Sequence, residues 1–213
     1  MAAEKNISAQ LVMQNYMLER LLERISLSKY HPNLILKGGF LISAIKEVSV
    51  KITVLYVSVT GNTEKMAGYI QQGIEEVGCI EVKLMNLVQE DTVDYEFVED
   101  SQAVIIGTPA YAADLSWQLK KWFDTDWNCS LAGKLGAAFA TANCLHGGAD
   151  RAISSVLSHM LVKGMLVYSS GMGCGRPFIH LGPVALRDDL EGKEDLFQLF
   201  GRRVAEKAVE LFH

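Results

Sequence analysis

The chain has no surplus of basic residues: 20 Lys and Arg stand against 25 Asp and Glu, a formal charge of −5 over 213 residues. That balance argues against a protein that grips nucleic acid through a basic face. No apolar run approaches the roughly 20 residues needed to span a bilayer. The opening Met1-Ala2-Ala3-Glu4 lacks the basic flank and apolar core of a secretory signal, so a cytoplasmic protein free of membrane is expected. Cysteine is scarce: Cys79, Cys129, Cys144 and Cys174 share no C-x-x-C spacing, and five histidines add no zinc pattern, so no metal site is expected. Reduced thiols fit such a compartment. Internal repeats, low-complexity segments and a catalytic dyad are all missing. Also absent are the GK[ST] ending of a phosphate-binding P-loop and the G-x-G-x-x-G of a dinucleotide site.

What is there is a 49% hydrophobic composition, enough for a full α/β core. The apolar run Ile52 to Val57 leads into Ser58-Val59-Thr60-Gly61-Asn62-Thr63, which opens a helix-like stretch. The first amides of a helix lack internal partners, and its dipole adds roughly half a positive charge there. Ser58, Thr60 and Thr63 bring hydroxyls, and Gly61 permits close approach and a positive φ. Without a lysine, this loop suits a terminal phosphate monoester held by hydroxyls and amides. Two more apolar strands end in comparable loops. Ala103 to Gly107 runs into Thr108-Pro109-Ala110-Tyr111-Ala112, where Pro109 is expected to stop the strand. Leu135 to Ala140 runs into Thr141-Ala142-Asn143-Cys144-Leu145-His146-Gly147-Gly148. Loops after the carboxyl ends of parallel strands gather at one edge of the sheet, where ligands bind. One such loop for a phosphate and two for a flat ring make a coherent pocket for a phosphorylated ring compound.

Ser58 to Thr63 resembles the T/S-x-T-G-x-T signature of flavodoxins, and Lys51 to His213 resembles the flavodoxin-like superfamily. Gly107-Thr108-Pro109 with Leu115-Ser116-x-Gln118-Leu119, and Gly133-Lys134-Leu135 through Gly147-Gly148, are similar to segments of the NAD(P)H:quinone oxidoreductase and FMN-reductase branch. The resemblance implies an α/β three-layer sandwich with a five-stranded parallel sheet in the order 2-1-3-4-5. It implies FMN contacts at Ser58 to Thr63, Pro109 to Ala112, Thr141 to Cys144, Gly147 and Gly148. The implied activity is an oxidoreductase passing electrons from NAD(P)H to a quinone or similar small acceptor, as a dimer or tetramer. The alternative is a flavodoxin-type electron carrier serving a redox protein. Departures touch the substrate side: the Arg and Phe usual in the second loop are Tyr111 and Ala112, and a histidine before the fifth strand is replaced by Val162 or Lys163.

Periodicity places strands at Lys51–Val57, Ile80–Leu87, Ala103–Gly107, Leu135–Thr141 and Met165–Ser169. Helices fall at Thr63–Val77, Leu115–Asp124, Asp150–Val162 and Glu194–Phe212. The intervals Gln89–Asp100 and Ser170–Asp189 read as an acidic loop and a long irregular connection. Alternating strands and helices indicate right-handed βαβ units. Residues 1–46 form a separate helical segment: Leu11, Leu18, Leu21, Leu22 and Ile25 recur at helical spacing, followed by Lys37-Gly38-Gly39. This resembles the start of the abortive-infection toxin nucleotidyltransferases, but the Asp-x-Asp pair that would bind Mg²⁺ is missing, so an inactive packing or dimerisation element is expected. Tyr111 is expected to stack on a flat ring. Trp117 and Trp122 are assigned to a helix face or the core. Trp127, Cys144, His146 and His180 stand open between a substrate role and an ordinary loop position.

Overall fold

The computed structural model describes residues 50–89 and 93–212, together with Tyr16, Met17, Arg20 and Arg24. The chain divides into two units, Met1–Val48 and Ser49–His213. In the first, the four described residues are helical, and the Arg20 guanidinium lies 5.6 Å from the Tyr16 ring centroid. The Lys37-Gly38-Gly39 motif and the expected packing role of residues 1–46 lie outside the described residues.

The second unit is built on a parallel sheet. Strand β1 (Val50–Tyr56) is flanked by β2 (Ile80–Asn86) and β3 (Ala103–Pro109), and β4 (Leu135–Ala142) follows β3. The order is β2-β1-β3-β4-β5, as expected, with β5 (Leu166–Val167) beside Leu135 and Gly136. A short sixth strand, β6 (Val184–Leu186), pairs with Ala140 to Ala142 farther along β4. The fifth position in the sheet is therefore filled by two pieces, one at each end of β4. The expected strand Met165–Ser169 shrinks to two residues, and the connection after it contains a strand.

Helices cover both faces, as continuous apolar strands require. Alternate residues divide the core. Leu55, Val104, Ile106 and Ala138 face helices α3 (Trp117–Thr125) and α4 (Ala149–Val162), with Phe97 of the short helix α2 (Tyr95–Asp100). Ile52, Val54, Ile105 and Phe139 face α1 (Asn62–Glu75) and α5 (Glu194–Phe212). Helices α1 and α5 cross with backbones nearly touching. A Cβ on Gly73 would lie 1.9 Å from the Gln198 carbonyl oxygen, and one on Gly201 would lie 2.2 Å from that of Ile70.

Two local expectations need correction. The expected acidic loop holds α2, capped by the Asp94 carboxylate, which accepts from the Phe97 amide at 2.9 Å. Pro109 does not stop β3, which runs through it opposite Thr141. Residues 107 and 109 point their backbone groups to the same side, towards β1, which pairs last at Tyr56 opposite Gly107. No ladder bond is lost at Pro109, because β1 has already turned away.

The segment after Ser170 is tied to α5 by Arg203. Its buried guanidinium donates to the carbonyl oxygens of Cys174 at 2.9 Å, Pro177 at 3.2 Å and Gly175 at 3.4 Å, and to the Ser170 hydroxyl at 3.5 Å. No helix among the described residues is long and apolar enough to cross a membrane.

Candidate functional site

The loops following β1, β3, β4 and β6 border a cleft of about 350 Å³ at the carboxyl edge of the sheet. The first loop supplies Val59, Thr60, Asn62 and Thr63. It is fixed from beneath by Asn86, the last residue of β2. The Asn86 Oδ1 accepts from the Ser58 amide at 3.1 Å and the Val88 amide at 3.2 Å, while its Nδ2 donates to the Ser58 carbonyl at 2.9 Å. Ser58 lies buried behind the cleft and acts as a helix cap: its Oγ accepts from the Glu64 amide at 3.1 Å, leaving the hydroxyl proton to donate elsewhere.

Gly61 begins α1 at φ 86°, with open space where a Cβ would stand. The amides of Asn62 and Thr63 have no acceptor among the described residues. Thr63 is 2% exposed, and its Oγ1 lies 2.8 Å from the Oγ1 of Thr141, itself 4% exposed. One of the two hydroxyls donates to the other, so one proton remains for a ligand. The Glu64 carboxylate accepts from the Tyr56 hydroxyl at 3.2 Å. Burial first, and then that carboxylate, push the Tyr56 phenol up to about 12.

The second loop contributes Pro109, Ala110 and Tyr111. Tyr111 is 42% exposed, and its backbone exchanges bonds with Asp114 at 2.9 and 3.0 Å. The two residues between them, Ala112 and Ala113, have φ values of 50° and 63°. A two-residue turn with both central residues left-handed is normally built from Asn-Gly, since an L-residue with a Cβ costs about 1–2 kcal/mol there. Two contacts hold the turn. The Asp114 carboxylate accepts from the Leu115 amide at 2.7 Å, and the neighbouring Ser155 hydroxyl, then that amide, hold its carboxyl below the usual range. Gly148 leaves room for the turn: a Cβ there would come within 2.5 Å of Ala113 Cα. Replacing Ala113 with Gly should raise stability by about 0.5–1 kcal/mol, after subtracting the freedom glycine adds to the unfolded chain. A urea midpoint equal to or below that of the parent would show that the turn carries no such strain.

The third loop brings Thr141, Ala142 and Asn143 to the cleft. Of the other expected contacts, Ser58, Gly61, Ala112, Cys144, Gly147 and Gly148 do not border it. Gly147 instead closes a turn on the Cys144 carbonyl at 2.9 Å, and the Cys144 thiol is exposed. Trp127 lies away from the cleft, in a groove with Phe123, His159 and Lys163, whose Nζ is 3.6 Å from its ring centroid. His180 borders another depression with Phe178 and Leu181, and His146 is exposed. Trp117 is exposed on α3 and Trp122 is buried, in keeping with helix-face and core roles. Asn86 and Arg187 escaped the sequence reading. Arg187 follows β6 and donates from Nη1 to the Asn143 Oδ1 at 3.4 Å.

Chemically, one end of the cleft offers unpaired amides, hydroxyl protons and a helix dipole, all suited to an anion. The other offers Pro109, Ala110, Ala142 and a half-exposed tyrosine, suited to a flat apolar ring. That donor set fits a flavin mononucleotide. No cluster of metal-ligating side chains occurs among the described residues.

The sequence profile of flavodoxins matches residues 54–144. A flavodoxin of Clostridium saccharobutylicum is 47% identical over 162 residues, covering 76% of this chain and 99% of the relative. A flavodoxin of Aquifex aeolicus is 30% identical over 73% of this chain and 85% of its own length. An NAD(P)H dehydrogenase (quinone) of Archaeoglobus fulgidus is 27% identical over 76% of this chain and 98% of the relative. Among solved structures, a WrbA-like flavodoxin from Agrobacterium tumefaciens superposes with a TM-score of 0.61 at 23% identity, covering 76% of this chain and 99% of that one. A Fusobacterium nucleatum flavodoxin bound to flavin mononucleotide superposes with a TM-score of 0.54 at 13% identity, over 75% and 97%. These two show the shared fold. None of these relatives supports the nucleotidyltransferase resemblance of residues 1–46. With identity near one half across almost the whole of a relative, and a sheet in the same order, this chain belongs to the flavodoxin family.

Proposed function

We propose that this protein binds FMN in the cleft and carries electrons to and from redox-protein partners. The observation that carries the reading is the meeting of a lysine-free anion loop with two ring-sized loops at one sheet edge. The family match favours a carrier over the NAD(P)H:quinone oxidoreductase suggested by the second and third loops, since the dehydrogenase relative is much more distant. When bound, FMN supplies one- and two-electron transfer, and the protein supplies orientation and electrostatics. The Asn62 and Thr63 amides and the Thr63–Thr141 hydroxyl pair would hold the phosphate. Pro109 to Tyr111 and Thr141 to Asn143 would hold the ring. Asn86 keeps the phosphate loop in shape through the Ser58 backbone.

The test is purification of the full chain without added cofactor, followed by identification of the released chromophore. The expected result is a yellow protein carrying FMN. Mixed anaerobically with NADH or NADPH, it should stay oxidised, and it should become reduced when a separate flavoprotein reductase is added. Oxidation of NAD(P)H by the protein alone, sustained by a quinone, would replace the carrier reading with the reductase one. A colourless protein that fails to take up FMN would remove both.

A further inference from the structure

We propose that Arg187 is the residue by which this cleft selects a phosphorylated flavin over the same flavin without its phosphate. The inference rests on the flavin reading of the cleft and adds to it a determinant that the phosphate loop does not contain. A phosphate monoester brings about −1.5 to −2 charges at neutral pH. Against it the loop sets only neutral groups: the Thr60 and Thr63 hydroxyls, the Asn62 side chain, free amides and a fractional dipole. Among the described residues lining the cleft, Arg187 is the one with a permanently charged side chain.

Its surroundings leave that charge available. Asp189 is bound to Lys193 at 2.7 Å and Glu191 to Lys65 at 3.4 Å, so two nearby carboxylates already hold lysines. Asp188, the next residue, borders a neighbouring depression but not the cleft. The hydrogen bond that Arg187 makes among the described residues is to the neutral Asn143 Oδ1, which steadies the guanidinium without neutralising it. With five donors in a planar fork, most of its hydrogen-bonding capacity is unused.

Position points to the anion end. Arg187 borders the cleft together with Thr60, Asn62 and Thr63, and it also borders the depression shared with Lys65, two residues past Thr63 on α1. The short strand β6 makes this possible. By pairing with Ala140 to Ala142 it delivers the next residue, Arg187, beside the end of β4 and hence beside Asn143.

The experiment titrates the flavin-free full chain with FMN and with riboflavin, following flavin fluorescence at several salt concentrations. The parent, Arg187→Gln and Arg187→Lys are compared. For Arg187→Gln, FMN should bind about tenfold more weakly, the low end for a hydrogen bond to a charged group. Riboflavin affinity should change less than about twofold, a shift worth only a few tenths of a kcal/mol. The salt dependence of FMN binding should flatten in Arg187→Gln and persist in Arg187→Lys, because screening acts on the charge. Equal weakening of FMN and riboflavin would overturn the proposal and make Arg187 a ring or loop contact. No change in either would overturn it as well. A parent that binds neither flavin would remove the flavin reading itself, an outcome distinct from both.

Discussion

Thr63→Val should weaken FMN by about 10- to 100-fold, in line with about 1.5–3 kcal/mol for a hydrogen bond to a charged group. It should also lower stability, because the Thr141 hydroxyl, buried 2.8 Å away, would lose its partner. An unmade bond of this kind costs about 1–3 kcal/mol. The two effects can be separated. Adding Thr141→Val removes the orphaned hydroxyl, so the double variant should recover most of the lost stability while its FMN affinity stays low. Urea unfolding of the flavin-free proteins reads the first quantity and fluorescence titration the second. If Thr63→Val bound FMN as tightly as the parent, the phosphate would have to lie elsewhere.

Gly201→Ala should be a severely damaging single-methyl change, with an expected loss of more than about 3 kcal/mol. On helix propensity alone it would be favourable by about 1 kcal/mol. The added carbon, however, would sit 2.2 Å from the Ile70 carbonyl oxygen of α1, a backbone atom that cannot rotate aside. Relief requires the two helices to separate, which opens the packing of Met66, Ile70, Phe197 and Phe200 on the sheet. Gly73→Ala meets the Gln198 carbonyl from the other side of the same crossing, so the double variant should lose less than the sum of the singles. Thermal and urea unfolding check both. A stability unchanged in Gly201→Ala would mean that α5 slides on α1 at little cost.

What the sequence revealed follows from how local each signal is. Helix α5 announces itself through nineteen residues of amphipathic periodicity, and β1 through an apolar run that ends in a hydroxyl-rich turn. Helix α2 is only six residues long, too short for a period to stand out, although Asp94 is a recognisable cap. Strand β6 has three residues in a stretch rich in Gly and Pro, and its partner lies more than forty residues upstream, so only the assembled sheet defines it. Arg187 was invisible for the same reason: nothing around it forms a motif, and its relation to Asn143 exists only because β6 docks on β4. In the third loop the glycine motif suggested flavin contact, and the structure shows a second demand on it: Gly148 makes room for the Ala112–Ala113 turn. Glycine patterns do not distinguish a ligand's approach from that of another loop, because both require the same missing Cβ.

The divided fifth position has a consequence for how the protein behaves in a crowded solution. An open sheet presents unpaired amides and carbonyls at its margins, a template on which strands of other molecules can add. Here one margin is β2, whose outward residues include Glu81 and Lys83, charges that disfavour a flat apolar approach. The opposite margin is broken into a two-residue piece and a three-residue piece with the Arg203-anchored segment between them. The β2 margin is a regular seven-residue ladder protected by those charges, whereas the opposite margin offers no ladder of that length, so runaway strand addition on that side is blocked by the same interruption that carries Arg187 to its place.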